Sequence, residues 1–440
     1  MTRYYQSWGR YPRAEQEVVR LWSRHEPFPL DRIGGKTALP RGNGRSYGDS
    51  CLNDGGALLD VRGLDRFIAF DSGTGILRCE AGVLLADILE FVVPQGWFVP
   101  ATPGTRLITV GGAIANDVHG KAHHRDGTFG CHVRCFELLR SDGSRYLCRP
   151  QENADWFSAT IGGLGLTGLI LWAEIALKRI KTPYIDSETV KCANLDEFFD
   201  VSAESDQDYE YTVAWLDCTA RGSRLGRALF NRGNHAVEKP GKIPRPPGRR
   251  LSVPVEPPFT LVNSMSLRAF NTLYYQRQRE RQRREVVHYA PFFYPLDAIL
   301  EWNRIYGPKG FFQYQCVLPG NDCRSEVREV LERVAASGEG SFLAVMKVFG
   351  DVRSPGILSF PVSGVTLAID FPNRGQRTLA LMDSLDGIVK AAGGRVYPAK
   401  DARMSAESFD HYFPRWRELL PYADPRLSSS FWRRVTGGAA

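Results

Sequence analysis

The chain has no apolar run that approaches the roughly 20 residues needed to cross a bilayer. Its first ten residues lack the apolar core of a secretory signal. Zinc-binding motifs are absent too, because Cys131 and Cys135 stand close together without a second pair at metal-ligand spacing. The nine cysteines are scattered and odd in number, which argues against a disulfide framework and fits a reducing compartment. We therefore expect a cytoplasmic protein without a bound metal.

Neither common nucleotide-binding fingerprint is present in its usual context. The chain has no Gly-x-x-x-x-Gly-Lys-Ser/Thr sequence. From Gly163 it does spell Gly-x-Gly-x-x-Gly, but residues 169–175 that follow have the pattern of a strand, whereas the dinucleotide fingerprint opens a helix. A Rossmann or P-loop domain is therefore not expected.

Composition is that of an ordinary globular protein, with 43% hydrophobic and 24% charged residues in a chain of 440. A chain of this length predicts two domains. The net charge of +7 favours anionic partners, such as phosphates or an acidic membrane surface. No nucleic-acid-binding motif accompanies that charge, so we expect no nucleic acid partner.

Three glycine-rich segments, residues 41–49, 102–121 and 161–168, are the most informative feature of the sequence. Glycines allow positive φ and close backbone approach, so successive N–H groups can form an anion-binding nest. Taken alone, the first segment fits an exposed turn equally well. Three such segments in one part of the chain favour a long ligand with a diphosphate, held across several loops.

These segments resemble the FAD domain of the vanillyl-alcohol oxidase family. The resemblance rests on Arg41-Gly-Asn-Gly-Arg-Ser-Tyr-Gly-Asp, Pro103-Gly-Thr, the run from Thr109 to Lys121, and Gly165-Leu-Thr-Gly. Within that family the chain is most similar to the oxidases of decaprenylphosphoryl-β-D-ribose. The similarity continues at residues 292–297, 302–304, 312–315 and 397–403, so it covers most of the sequence.

The resemblance implies an α+β fold with two domains. An FAD-binding domain of the PCMH type would span residues 1–179, and a substrate domain with an antiparallel sheet backed by helices would span 180–394. A C-terminal segment, 395–440, would return to the FAD domain. The sequence pattern alone also predicts a helix over 13–24, because Ala14, Val18, Leu21 and Trp22 would share one face.

FAD is the cofactor that the resemblance implies. Its expected contacts are Arg41, Gly42, Asn43, Gly44, Arg45, Ser46, Tyr47, Gly48, Gly104, Thr105, Thr109, Val110, Gly111, Gly112, Asn116, Asp117, Val118, His119, Ile170 and Tyr397. Relatives that tether the flavin covalently have a histidine where Arg45 stands. An arginine does not form that bond, so we expect non-covalent FAD.

A flavin oxidises an alcohol by accepting a hydride while a base takes the hydroxyl proton. The residue types that can act as this base are His119, Lys121, Tyr47, Lys347 and Lys400. The resemblance implies that Lys400 lies beside the flavin and that Lys347 lies in the pocket. Gln313 and Gln315 alternate on a predicted strand, so they share a face, and the resemblance turns that face towards the sugar.

Substrate contacts are expected from Lys121, Thr366 and Ala368. Two of these depart from the pattern of the similar oxidases. Ala368 replaces a cysteine and Thr366 replaces an asparagine, so the shape of the pocket and the identity of the sugar stay open.

The expected reaction is oxidation of the 2′-hydroxyl of a polyprenylphosphoryl-β-D-ribose to the 2′-keto sugar, the first half of an epimerisation towards arabinose in cell wall polysaccharide biosynthesis. A short-chain reductase would complete it. The basic, proline-rich residues 239–250 would give peripheral contact with the inner face of the membrane, although a solvated loop is the simpler interpretation. The alternatives are an FAD-dependent oxidase of free alditols or sugar lactones, and a flavin-binding partner protein without catalysis.

Overall fold

The computed structural model describes residues 5–238, 240–241, 251–320 and 322–437. The strands are β1 Glu17–Arg20, β2 Ala38–Arg41, β3 Ala57–Asp60, β4 Phe67–Asp71, β5 Ile76–Glu80, β6 Trp97–Phe98, β7 Val133–Leu139, β8 Arg145–Cys148, β9 Leu169–Ala176, β10 Lys178–Arg179, β11 Tyr184–Cys192, β12 Tyr211–Leu216, β13 Ala228–His235, β14 Leu251–Ser252, β15 Gln282–His288, β16 Ile299–Leu300, β17 Phe311–Pro319, β18 Ala344–Phe349, β19 Gly364–Pro372 and β20 Arg395–Val396. The helices are α1 Leu30–Ile33, α2 Leu85–Val92, α3 Val110–Ala115, α4 His123–Asp126, α5 Ala154–Thr160, α6 Leu195–Ser205, α7 Ser264–Gln276, α8 Tyr289–Phe293, α9 Arg324–Ser337, α10 Gln376–Ala391, α11 Ala406–Tyr412 and α12 Ser430–Thr436.

Two sheets form the part of the chain that carries the glycine segments. One is an antiparallel sheet in the order β4-β5-β9-β7-β8, and the other is a small parallel sheet in the order β1-β3-β2. β2 leads directly into the first glycine segment, and β9 begins directly after the third. A Cβ added at Gly165 would lie 3.8 Å from both the Leu39 side chain and the Pro40 carbonyl of β2, so the first and third glycine segments lie close together.

The predicted helix over residues 13–24 is wrong. Val18 and Val19 lie in β1, which pairs in parallel with β3, and β-branched side chains suit such a pairing. Trp22, which the helix would have buried, is 60% exposed. The pairing with β3 determines the conformation of this segment, and such a distant pairing cannot be predicted from the local pattern of apolar residues.

The second half of the chain builds a sheet of eight strands in the order β15-β11-β13-β12-β18-β19-β17-β20. All of its pairings are antiparallel. Apolar side chains of α6, α9 and α10 join the core that covers one face of this sheet. The predicted α+β fold, with an antiparallel sheet backed by helices, is confirmed.

The C-terminal segment contacts the glycine-rich part of the chain. The Ser428 N–H donates to the Ala38 carbonyl at 2.9 Å, and Arg434 on α12 forms ion pairs with Asp49 at 2.7 Å and Asp401 at 2.9 Å. These contacts support the predicted return to the FAD domain, whereas the exact domain boundaries stay a prediction. Within the described residues, no helix combines the length and apolar character of a membrane span.

Candidate active site

A cavity of about 670 Å³ lies between the glycine segments and the eight-stranded sheet. The sheet supplies side chains mostly from alternate strand positions, as expected for residues that share one face. They are Ser187, Val213, Trp215, Asn231, Glu285, Val287, Gln313, Gln315, Val345, Lys347, Thr366, Ala368 and Asp370. The opposite face of the sheet is covered by the helices, so this face is the one left for a ligand.

The loop side of the cavity depends on close backbone approach. A Cβ added at Gly42 would overlap the Thr109 hydroxyl, so only glycine fits there. The Thr109 hydroxyl in turn caps α3, accepting a hydrogen bond from the Gly112 N–H at 3.2 Å. The Asn43 side chain donates to the Leu107 carbonyl at 2.8 Å, which links the first glycine segment to the second. Both segments therefore line the same side of the cavity.

Most of the predicted site residues line this cavity, but Gly48, Val110 and Asp117 do not. Gly48 abuts the backbone of Asp401, and the Val110 side chain is fully buried in the apolar core. The Asp117 carboxylate is buried as well, where it accepts hydrogen bonds from the Gly130 N–H at 2.9 Å and from two serine hydroxyls. These three residues therefore make structural contacts away from the cavity, and their contact with the cofactor stays a prediction.

His119 is at the centre of a hydrogen-bonded group in the cavity wall. Its Nε2 lies 3.0 Å from the Gln315 side-chain nitrogen, and its Nδ1 lies 3.5 Å from Lys347 Nζ. Burial, and then the nearby Lys347, His123 and Lys400, hold the pKa of His119 well below its usual value. His119 is therefore neutral at neutral pH, with one donor and one acceptor ring nitrogen.

Lys400 lies over the ring of Tyr47, with Nζ 3.7 Å from the ring centroid. Burial lowers the pKa of Lys400 to about 7; the Asp370 carboxylate opposes this shift and Lys347 adds to it. An amine with a pKa in this range can both take and return a proton at neutral pH. Burial raises the pKa of Tyr47 well above its usual value, so this phenol stays protonated.

Two further lysines face the same cavity. Burial lowers the pKa of Lys347 to about 8, and burial followed by Lys347 lowers that of Lys121 to about 7. The Lys121 ammonium donates to the Phe292 carbonyl and lies 4.4 Å from the centroid of the Phe292 ring. The structure thus brings all the predicted lysines and glutamines into one cavity.

Two buried aspartates of the cavity wall were not predicted as site residues. Asp297 accepts hydrogen bonds from the Thr105 hydroxyl at 2.6 Å and the Arg106 N–H at 3.0 Å, so it fixes the loop after Gly104. Asp370 accepts one from Gln313 Nε2 at 2.6 Å. Both lie in segments that resemble the ribose oxidases, and that position was the signal available in the sequence.

Comparison with known proteins agrees with this architecture. A model of the family described as "FAD binding domain" matches residues 11–149. The chain is 37% identical to decaprenylphosphoryl-β-D-ribose oxidase of Mycolicibacterium smegmatis, over 96% of this chain and 95% of that protein. The chain belongs to the decaprenylphosphoryl-β-D-ribose oxidase family. It is an FAD-dependent oxidoreductase, as the resemblance implied.

Other relatives of this oxidase-family chain are less similar or match over less of its length. An uncharacterized protein in the mprA 5′ region of Streptomyces coelicolor is 34% identical over 80% of the chain and 100% of its own length. Human Δ(24)-sterol reductase is 32% identical over only 24% of the chain and 21% of its own length. The residues on the loop side fit the FAD that this family requires, because both glycine segments line the cavity and Arg41 and Arg45 bring to it the positive charge that suits a diphosphate.

Proposed function

We propose that the protein oxidises the 2′-hydroxyl of a polyprenylphosphoryl-β-D-ribose to the 2′-keto sugar. The observation that carries this proposal is the convergence of Lys400 and the His119–Gln315–Lys347 group on the cavity that the glycine segments enclose. Similarity over nearly the full length to an oxidase named for this substrate supports it.

Bound FAD would supply the hydride acceptor. The remaining task of the chain is to hold the sugar and to take one proton from its hydroxyl. Lys400 is the proposed base, because its lowered pKa leaves part of the amine unprotonated at neutral pH. Gln313 and Gln315 present amides to the sugar hydroxyls, and Lys121 and Lys347 present amines to the phosphate.

We propose that FAD is held without a covalent bond. Arg45 stands where tethering relatives have a histidine, and its guanidinium lies 4.0 Å from the Trp8 ring centroid at the cavity wall. A guanidinium is a poor nucleophile, and stacking on Trp8 holds it in place. Acid precipitation should leave the yellow colour in the supernatant, and colour retained in the pellet would contradict this.

We also propose contact with the membrane that carries the lipid-linked substrate. Of the predicted basic stretch, Lys239 and residues 242–250 lie outside the described residues. The chain that follows it exposes the apolar side chains Leu251, Val255, Phe259, Leu261, Met265 and Leu273, each at least 47% exposed. Tyr274 and Arg277, at the end of α7, line the cavity, so this surface leads to its mouth. An exposed apolar surface of this kind suits a lipid tail or a bilayer interface.

The membrane proposal can be tested with vesicles of phosphatidylglycerol and phosphatidylcholine. Met265→Glu with Leu273→Glu should weaken sedimentation with these vesicles. Phe67→Glu, at a residue that is 39% exposed on β4, is the matched control and should leave sedimentation unchanged. Equal binding by all variants would exclude this surface.

The keto sugar requires a reductase to complete the epimerisation, and we propose a short-chain reductase as that partner. The function itself is tested by anaerobic bleaching of the yellow protein with polyprenylphosphoryl ribose, beside free ribitol and xylitol. Bleaching by the lipid-linked sugar alone is the expected result. Bleaching by a free polyol would instead place the protein among alditol oxidases, and a preparation that binds no flavin would favour a non-catalytic partner protein.

A further inference from the structure

Asp370 is a buried carboxylate of the cavity wall to which the proposed reaction gives no role. It is 1% exposed and stands opposite Gln313 in the pairing of β17 with β19. Gln313 Nε2 donates to Asp370 Oδ1 at 2.6 Å, and the Tyr306 hydroxyl donates to Oδ2 at 3.4 Å. In the described part of the chain, no lysine, arginine or histidine nitrogen pairs with this carboxylate within 4.0 Å. A buried carboxylate with only neutral donors is costly, which calls for a reason in the site itself.

The same corner of the cavity contains Lys400. Lys400 lies over the ring of Tyr47, and Tyr47 packs edge-on against Phe311 with ring centroids 5.5 Å apart. Phe311 is stacked on Tyr306 at 4.2 Å, and the Tyr306 hydroxyl reaches Asp370. These rings form a continuous wall that holds the amine and the carboxylate in one water-poor region.

The other carboxylates that line the cavity are less suited to act on Lys400. Asp297 is occupied by the Thr105 hydroxyl and the Arg106 N–H. Glu285 and Glu301 are exposed to solvent, which screens their charge. Among the described residues of the cavity wall, Asp370 is thus the buried carboxylate left to balance the lysines.

We propose that Asp370 is a positioning residue that supplies the counter-charge of Lys400. When the substrate hydroxyl gives up its proton, the Lys400 amine gains that proton, and the charge of the resulting ammonium is balanced by the ionised form of Asp370. The other titratable groups facing this pair are Lys347 and His119 on the amine side and Tyr47 and Tyr306 on the carboxylate side. Asp370 alone among them can oppose the repulsion that Lys347 exerts on Lys400.

The pKa directions agree with this geometry. Burial raises the pKa of Asp370 to about 7, and Gln313 and Lys400 oppose that rise. Asp370 in turn raises the pKa of Lys400 against burial. Each group therefore favours the charged form of the other.

The test is Asp370→Asn, which keeps an oxygen acceptor for Gln313 but removes the charge. The rate at which acetic anhydride labels Lys400 is measured against pH in the full-length protein, with peptide mass spectrometry as the readout. Loss of the carboxylate should move the midpoint of this curve to lower pH by about one unit or more. Lys121 and Lys347 are internal controls, because burial is the main cause of their lowered pKa values and Asp370 does not contribute to them.

Asp386→Asn is the matched control. Asp386 is also buried and bonded to a tyrosine, Tyr314, at 2.9 Å, but it lies on the helical side of the sheet. Asp386→Asn should leave the Lys400 midpoint unchanged. Asp370→Glu, which keeps the charge, should have a Lys400 midpoint closer to the wild-type value than that of Asp370→Asn. If Asp370→Asn does not fold, Asp370→Ser serves as the second uncharged variant.

An unchanged Lys400 midpoint in a folded, uncharged Asp370 variant would overturn the inference. The role of Asp370 rests on the proposed function, but the labelling uses no substrate. The charge pair and the ribose oxidation can therefore be refuted separately. If ribose oxidation is confirmed as well, the pH dependence of kcat/KM should shift to lower pH in the same variant. A shift in labelling without ribose oxidation would leave the charge pair intact and refute only the substrate.

Discussion

Replacing Arg434 by methionine should destabilise the protein and loosen its hold on FAD. Arg434 Nε and Nη2 bind both oxygens of Asp49, at 3.0 and 2.7 Å, and Nη2 also lies 2.9 Å from Asp401. The side chains of Asp49 and Asp401 are 5% and 2% exposed. Methionine fills a similar length without the charge, so it leaves two buried carboxylates unpaired. Those carboxylates flank the first glycine segment and the segment of Lys400.

The magnitude follows from the burial of the three groups. Removing one partner of a buried ion pair costs about 3–5 kcal/mol. The Arg434 side chain is itself 26% exposed, so water compensates in part and the lower end, about 3 kcal/mol, applies. At about 2 cal/mol/K of unfolding entropy per residue, 440 residues give roughly 0.9 kcal/mol/K, so the Tm should fall by about 3 °C.

The assay is thermal unfolding followed by circular dichroism, together with the FAD concentration needed for half-saturation. Arg417→Met is the matched control, because Arg417 and its partner Asp410 are 61% and 52% exposed. An exposed pair contributes about 1 kcal/mol at most, so the control should melt within about 1 °C of wild type. Equal melting temperatures for the two variants would show that α12 does not anchor the first glycine segment.

Three further predictions concern the site directly. Lys400→Ala should bind FAD normally but lose turnover by about 100-fold or more, as loss of a general base does; near-normal turnover would remove Lys400 from the reaction. Gly42→Ala should lose FAD, because its Cβ overlaps the Thr109 hydroxyl. Gly387→Ala, on α10 and away from the cavity, meets no heavy atom of the described residues within 4 Å beyond its own helix, so this control should retain the flavin. His123 is buried, its ring nitrogens have no hydrogen-bond partner among the described residues, and burial lowers its pKa to about 3. The stability that the neutral His123 contributes is thus complete above the unfolded pKa of about 6.5 and is lost as pH falls towards 3. Between pH 7 and pH 5 the free energy of unfolding of wild type, measured in urea, should therefore fall by about 2 kcal/mol more than that of His123→Met.

Local patterns in the sequence were sufficient for the parts of the fold that depend on local geometry. The glycines of residues 41–49 and 102–121 are needed where two chain segments pack closely, as at Gly42. The spacing of these glycines therefore predicts the loops. Gln313 and Gln315 share a face because β17 is a strand, and strand periodicity is visible in the sequence.

The sequence was insufficient where residues far apart in the chain determine the conformation or the contacts of a segment. β1 is a strand because β3 pairs with it, although the segment has helical spacing of its own. The Asp117 carboxylate does not line the cavity, because it accepts hydrogen bonds from Ser354 and Ser359, more than 230 residues away. Asp370 becomes a site residue only when β17 and β19 pair and place it beside Gln313. No local pattern in the sequence shows these contacts, and for Asp370 the resemblance to the ribose oxidases was the one signal available.

If the protein oxidises the 2′ carbon of a lipid-linked ribose, the new carbonyl must lie at that carbon, and its position can be measured. The protein is incubated with polyprenylphosphoryl ribose and an electron acceptor, the product is reduced with borodeuteride, and the sugar is analysed by mass spectrometry. Oxidation at the 2′ carbon should give deuterium at C2 in a mixture of ribose and arabinose. Deuterium at another carbon, or unlabelled ribose after flavin bleaching has been seen, would contradict it.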